Sequence, residues 1–109
     1  MNCFLDYQER AKRTLNDKGK DFEQMVSHML MGIQGESGEV ADLFKKHFHQ
    51  EHDLDTEKVL EEMGDVMFYI ANLCNVMGIS LQEVCERNII KLMKRYPEGF
   101  DAERSINRE

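Results

Sequence analysis

Apolar residues recur along most of the chain at intervals of three and four, which is the spacing of an amphipathic α-helix. No segment shows the period-two alternation of a half-buried strand. The pattern predicts four helices, with these limits: about residues 3–16; Asp21 as N-cap to about His47; Asp55 or Thr56 to Gly78; and Ser80 to a stop at Pro97. We therefore predict an all-α fold, a four-helix bundle-like single domain over residues 1–109, with a polar tail over about 98–109.

The apolar stripes are long for a chain of 109 residues. One small domain has a modest core, so four such stripes are not readily buried within a single copy. We expect the bundle to be completed by oligomerisation, as a homodimer or homotetramer. The polar tail is expected either to be loose or to dock on a partner subunit.

Charge and cysteine usage narrow the range of functions. The chain carries 21 acidic and 14 basic residues, for a net charge of −7, so we expect no nucleic-acid partner. It has no apolar run near 18 residues and no signal-peptide pattern, so we expect no membrane association. Three cysteines without a CxxC motif, with Cys74 and Cys85 at apolar positions, predict free thiols and a cytoplasmic location.

Carboxylates interrupt two of the predicted apolar stripes. In "GIQGESGEV", Glu36 falls within the stripe and Glu39 lies beside it at i+3. "LEEMGDV" in the third helix repeats the pattern with Glu62 and Asp65. If the two helices are antiparallel, both acidic pairs can meet at one level of the bundle. Four converging carboxylates predict a Mg²⁺ site, with Mn²⁺ as a substitute, because hard cations prefer oxygen ligands.

Two alternatives stand beside the metal site. The acids can be ordinary surface charges or salt-bridge partners of Lys45, Lys46 and Arg95. The glycines near the acids can serve helix packing alone, or they can clear room for metal and substrate. These glycines are Gly32, Gly35, Gly38 and Gly64.

A polar ridge follows the fourth predicted helix. Asn88 falls inside the apolar stripe and so needs a hydrogen-bond partner, and Lys91 and Arg95 follow at i+3 and i+7. An amide, an ammonium and a guanidinium on one edge suit a polyphosphate. The alternative is that Asn88 bonds a neighbouring helix and the cations neutralise the bundle's acids.

Three blocks in order, "GESGEVADLFKK", "EEMGDVMFYIANL" and "NIIKLMKRYPEGF", resemble the MazG-like branch of the all-α nucleoside triphosphate pyrophosphohydrolases. The resemblance runs from about residue 22 to the end and rests on a Glu-x-x-Glu, spacer, Glu-x-x-Asp signature. It implies Mg²⁺-dependent hydrolysis of a nucleoside or deoxynucleoside triphosphate to the monophosphate and pyrophosphate, in nucleotide-pool housecleaning. The implied roles are metal ligation by Glu36, Glu39, Glu62 and Asp65, and phosphate binding by Asn88, Lys91 and Arg95.

The catalytic roles and the base contacts are hypotheses. Glu36 and Glu39 are the candidate catalytic residues. Glu39 is the candidate general base, which takes a proton from water. Gln8 and Tyr69 are the candidate nucleobase contacts, although a hydrogen-bonded core glutamine and a core or oligomer tyrosine explain them equally well. Two other functions stay open: a non-catalytic metal- and nucleotide-binding helical module, and a dedicated dUTP or dCTP pyrophosphatase.

Overall fold

The computed structural model describes residue 1 and residues 3–108, and within them it contains helices and no strand. The α-helices are α1 (Phe4–Ala11), α2 (Phe22–His49), α3 (Thr56–Met77), α4 (Leu81–Arg95) and α5 (Ala102–Ile106). A short 3₁₀ turn, Lys12–Thr14, follows α1. The predicted all-α fold is confirmed.

The helix ends follow local signals that are visible in the sequence. Asp21 accepts a hydrogen bond from Gln24 N, and the Gln24 side chain accepts one from Asp21 N, so α2 begins with a complete capping box. Asp55 caps α3 by accepting hydrogen bonds from Glu57 N and Lys58 N, and Gly78 ends this helix in the left-handed conformation with φ of 70°. The first helix is shorter than predicted, because it gives way to the 3₁₀ turn at Lys12.

Helices α2 and α3 form an antiparallel hairpin. Going up α2, His28 lies against Tyr69, with ring centroids 5.9 Å apart, and Glu36 lies against Glu62. Residue numbers on α3 thus fall as those on α2 rise. This arrangement carries the carboxylates of "GIQGESGEV" and "LEEMGDV" to the same level, as the antiparallel pairing predicts.

Helix α1 is held on the outside of α3 by a network of side-chain amides. The fully buried Asn72 donates to Ala11 O at 3.1 Å, and Asn75 donates to Asn72 Oδ1 at 2.9 Å and to Gln8 O at 3.1 Å. Around this network lies the main buried cluster, which consists of Ala11, Ala71, Cys74 and Leu81. Buried amides that are all paired fix a single arrangement of the packed elements. Gln8 and its neighbours therefore set where the N-terminal helix lies.

Helix α4 turns away from the hairpin and does not complete a bundle within one copy. It leaves α3 with a bend of 105° and packs mainly on α1 and on the end of α3. Of its predicted apolar stripe only Leu81 is buried, while Ile89 is 60% exposed. The radius of gyration is 17.1 Å, against about 13 Å expected for a compact domain of this length. The described part of one chain is therefore an open arrangement of helices.

No single helix in the described residues is long and apolar enough to cross a membrane; α3 and α4 meet that test only as a bent pair. The polar tail contains the short helix α5, which Asp101 caps by accepting from Arg104 N, and its docking on a partner subunit stays a prediction. Arg104 Nη1 in turn donates to Arg95 O at 3.3 Å, which ties α5 to the end of α4.

Candidate metal centre and phosphate groove

Three of the four predicted metal ligands converge. Carboxylate oxygens of Glu36, from α2, and of Glu62 and Asp65, from α3, all lie within 4.8 Å of one another. Glu36 and Glu62 are partly buried and Asp65 is exposed, so the group opens to solvent. The fourth acid, Glu39, is exposed one helical turn further along α2 and is not part of this group.

The electrostatics of the group explain why it suits a cation. The pKa of Glu62 is raised, first by a hydrogen bond with Glu36, then by partial burial and by the negative charges of Glu36 and Asp65. Lys58 opposes this rise only in part. Carboxylates this close resist joint ionisation, and a positive ion between them would relieve their repulsion. Oxygen-only ligands in this number fit a hard divalent cation.

The nearby lysines do not serve the acidic group in the way that the salt-bridge alternative requires. Lys45 and Lys46 both pair with Asp42, at 3.3 and 2.8 Å. The hydrogen bonds from Lys46 and Lys45 hold the pKa of Asp42 below its ordinary value. Glu39 contributes a smaller charge effect that raises the pKa of Lys46. The two lysines thus neutralise the outer turn of α2, beyond the three converging acids.

The glycines near the acids have two different environments. A Cβ added at Gly32 would overlap the ring of Tyr69, so this glycine lets α3 approach α2 closely. Cβ atoms added at Gly35, Gly38 and Gly64 would meet nothing within 4 Å. Tyr69, which we predicted as a base contact, packs between Gly32 and the rings of His28 and Phe68. The structure thus places Tyr69 in the hairpin seam.

The predicted phosphate ligands lie on α4, away from the acids of the same chain. Asp65 is twelve residues before the end of α3, and Lys91 is ten residues into α4. At 1.5 Å per residue and with the 105° bend between them, the two positions are on the order of 20 Å apart. One copy therefore does not bring both sets to one triphosphate. Asn88 is exposed, so the buried partner that we expected for its amide is not needed.

Lys91 and Arg95 instead line an open cationic groove. The groove has a volume of about 590 Å³ and is formed where α5 folds against the end of α4. Its lining residues are Lys91, Lys94, Arg95, Arg104, Asn107 and Arg108. The sequence analysis missed the contributions of Arg104 and Arg108, because it did not predict α5. Asp101 before "AERSI" was the available signal, as an N-cap residue ahead of a helical segment.

Gln8, the other predicted base contact, has both ends of its amide engaged within the chain. Its Nε2 donates to Asn75 Oδ1 and to Ile79 O, each at 2.9 Å, and its Oε1 accepts from Leu81 N at 2.8 Å. The last of these bonds satisfies a free N–H at the start of α4. This geometry favours the alternative of a hydrogen-bonded core glutamine. Sequence reasoning missed Asn72 and Asn75, which complete the network.

Tyr7, one residue before Gln8, is partly buried and lies within electrostatic range of Asp65. Burial raises its pKa, and the charge of Asp65 raises it further. The ring of Tyr7 belongs to the wall of an open cavity of about 460 Å³ between α1 and α3.

The comparisons with known proteins identify the family. Residues 24–100 match the MazG nucleotide pyrophosphohydrolase domain, and this match includes all four predicted acids and the whole of α4. The Gene 37 protein of Mycobacterium phage L5 is 36% identical over 78 residues, and the match covers 68% of this chain and 68% of that protein. No solved structure gives a significant match. From the domain match and the arrangement of its helices and acids, the chain belongs to the MazG nucleotide pyrophosphohydrolase family.

Proposed function

We propose that this protein is a pyrophosphohydrolase that cleaves nucleoside triphosphates between the α- and β-phosphates, giving the monophosphate and pyrophosphate. The observation that carries the proposal is the convergence of Glu36, Glu62 and Asp65 within 4.8 Å, in a chain with a matching family domain. Three carboxylates at one point of a helix hairpin repel one another, which costs stability. Binding of a cation would offset this repulsion.

In the proposed mechanism Glu36, Glu62 and Asp65 hold Mg²⁺, with Mn²⁺ as a substitute. The bound cation would supply counter-charge to the triphosphate and acidify the attacking water. Glu39 lies outside the converging group, so its carboxylate is available to accept the proton of that water. The oxygen of this water would bond to phosphorus as the bridging P–O bond between the α- and β-phosphates breaks, which releases the monophosphate and pyrophosphate.

We propose that the phosphate contacts come from a second copy of the chain, in a homodimer or homotetramer. Lys91 and Arg95 lie in a groove of positive charge that is on the order of 20 Å from the acids of their own copy. The face of α4 that adjoins Asn88 exposes large apolar side chains, with Ile89 at 60% and Leu92 at 40%. Exposed apolar surface of this extent marks an association face. Pairing through α4 would bury it and carry Asn88, Lys91 and Arg95 toward a partner's acids.

We also propose a biological role and a cellular location for this protein. Nucleotide-pool housecleaning is the role we propose, since removal of unwanted triphosphates is what this bond cleavage achieves. The cytoplasm is the location we propose, because Cys3, Cys74 and Cys85 are free thiols.

A pair of charge-neutralising variants tests the proposal. Glu36→Gln should lower pyrophosphate release from a mixed triphosphate substrate at least about 100-fold in Mg²⁺, since it removes one ligand of the cation. Glu61→Gln is the matched control, because Glu61 is an exposed acid next to Glu62 that lies outside the converging group. Near-wild-type activity in folded Glu36→Gln would contradict the proposal. Stabilisation of the wild type by Mg²⁺ and nucleotide without any turnover would favour the non-catalytic module.

A further inference from the structure

The cationic groove at the end of α4 holds more positive groups than the proposed phosphate contacts use. Its volume of about 590 Å³ is within the range of small-molecule sites. Lys91 and Arg95 are the two cations that we propose as contacts of the triphosphate. Lys94, Arg104 and Arg108 line the same groove. These three cations have no part in the proposed cleavage of a triphosphate.

The groove concentrates positive charge in an acidic protein. It gathers five of the chain's 14 basic residues, although the net charge of the chain is −7. Like charges around one groove repel one another, and a bound polyanion would relieve that repulsion. Guanidinium groups bind phosphate through paired hydrogen bonds, and ammonium groups bind it as point charges. The chemistry of the lining therefore fits a chain of several phosphates.

The additional arginines come from a segment that is tied to the end of α4. Asp101 caps α5 by accepting from Arg104 N, and Arg104 Nη1 donates to Arg95 O at 3.3 Å. These bonds hold Arg104 beside Arg95, and the chain then brings Arg108 to the same groove. The matched family domain ends at residue 100, so both arginines lie beyond it. They are a feature of this chain that the family match does not describe.

We infer that the groove accepts a phosphate chain longer than that of a triphosphate, so that the protein also cleaves nucleoside 5′-tetraphosphates. The inference rests on the proposed function and extends its substrate class. The α-phosphate lies at the acids of one copy, and Lys91 and Arg95 of the other copy bind the phosphates that follow. The terminal phosphate of the longer chain reaches Lys94, Arg104 and Arg108.

The reaction is the proposed one with a longer leaving group. The oxygen of water bonds to the α-phosphorus as the bridging P–O bond between the α- and β-phosphates breaks. The water gives up its proton to the general base, and the electron pair of the broken bond stays with the leaving oxygen. The products are the nucleoside monophosphate and inorganic triphosphate.

Turnover of adenosine 5′-tetraphosphate beside ATP tests the substrate class. In Mg²⁺, ³¹P NMR should show AMP and inorganic triphosphate as the products of the tetraphosphate. Its KM should be about tenfold lower than that of ATP, because the fourth phosphate gains charge-assisted hydrogen bonds. Formation of ATP and orthophosphate, or a KM equal to or above that of ATP, would overturn the inference. Cleavage of ATP alone would overturn only the inference, whereas cleavage of neither substrate would refute the proposed function itself.

A binding series without Mg²⁺ tests the groove independently of turnover. Isothermal calorimetry compares inorganic triphosphate with pyrophosphate as ligands of the full chain. The longer anion should bind about tenfold more tightly, because it reaches more of the cations. Equal affinities of the two anions for the wild type would overturn the inference.

A pair of arginine variants tests the location. Arg108→Gln should reduce the difference in affinity between the two anions to about twofold, since the longer anion loses a charged partner. Arg87→Gln is the matched control, because Arg87 is an exposed arginine of α4 that pairs with Glu83 at 3.0 Å and is not among the lining residues of the groove. This control should keep the tenfold difference. Equal effects of the two substitutions would overturn the inference.

Discussion

At the scale of single residues, the main feature is a trio of acids that repel one another in the absence of a cation. The pKa of the Glu62 carboxyl group is raised mainly by its hydrogen bond with Glu36. The negative charges of Glu36 and Asp65 raise this pKa further. A raised pKa means that the fold favours the protonated form of this acid. The stability that Glu62 contributes is therefore present below the ordinary pKa of about 4.3 and is lost as the pH rises through the folded-state value.

Glu62→Gln turns this electrostatic argument into a prediction. In the metal-free protein, the Tm of the variant should rise relative to that of the wild type as the pH increases from 4 to 7, because glutamine keeps the hydrogen bond without the charge. Mg²⁺ should raise the Tm of the wild type at pH 7.5 and leave that of the variant nearly unchanged. Thermal melts followed by circular dichroism measure both effects. The shifted pKa of Asp42 is shared by the two proteins and cancels in the difference. A difference in Tm that is constant with pH would contradict this account.

The residue scale also shows what a single sequence can predict. The i, i+3 spacing on two helices was enough to find Glu36, Glu62 and Asp65, because helical periodicity fixes which side chains share a face. It did not separate Glu39 from the other three, since the exact rotation of α2 against α3 depends on packing at Gly32 and Tyr69. The amide network of Gln8, Asn72 and Asn75 was also beyond reach, because its partners are more than 60 residues apart.

At the scale of helices, the position of the metal centre depends on how closely α2 and α3 approach. Gly32 is the point of closest contact, because the ring of Tyr69 occupies the space that a Cβ would take. The other glycines near the acids meet open space at that position. Replacing one of them by alanine therefore changes the free energy of unfolding differently from the same change at Gly32, although all of these glycines lie in helix interiors.

Gly32→Ala and Gly38→Ala make a matched pair for this argument. Gly32→Ala should destabilise the protein by about 1–3 kcal/mol, because the added methyl group forces Tyr69 out of its place. Gly38→Ala should stabilise it by up to about 1 kcal/mol, since alanine is the better helix former and has room. Urea unfolding followed by circular dichroism measures both. Equal effects of the two substitutions would show that the seam is not packed as described.

Capping signals predicted the helix ends better than periodicity predicted their packing. Asp21, Asp55, Gly78 and Ser80 were all identified in the sequence and all act as caps. The direction of α4 was not predictable, because an apolar stripe shows which face is to be buried and not which chain buries it. The short α5 was missed for a related reason, since five residues are too few to show a period.

At the scale of the whole molecule, one copy leaves apolar surface exposed and keeps its acids and its cations apart. A second copy would cover this surface and bring acids and cations together. The radius of gyration of 17.1 Å and the exposed face of α4 have the same origin, namely the 105° bend after α3. The acids and the cations of α4 are on the order of 20 Å apart in this open shape. An assembly through α4 would bury the apolar face and allow the two charged regions to meet.

Ile89→Glu tests the assembly. The substitution places a charge in the apolar face of α4 and should shift the protein from a dimer or tetramer to a monomer, with loss of pyrophosphate release. Gln50→Glu adds the same charge at an exposed position after α2 and should leave the mass unchanged. Sedimentation velocity at micromolar protein concentration gives the masses. A monomeric wild type that is fully active would contradict a composite site.

The central claim is that the acidic group of α2 and α3 directs cleavage of the α–β bond of a nucleoside triphosphate. The most direct test is ³¹P NMR of ATP incubated with the purified protein and Mg²⁺, with a sample containing excess chelator beside it. The account predicts the appearance of AMP and pyrophosphate in equal amounts, and no reaction in the chelator. Formation of ADP and orthophosphate, or cleavage that continues without a divalent cation, would contradict it.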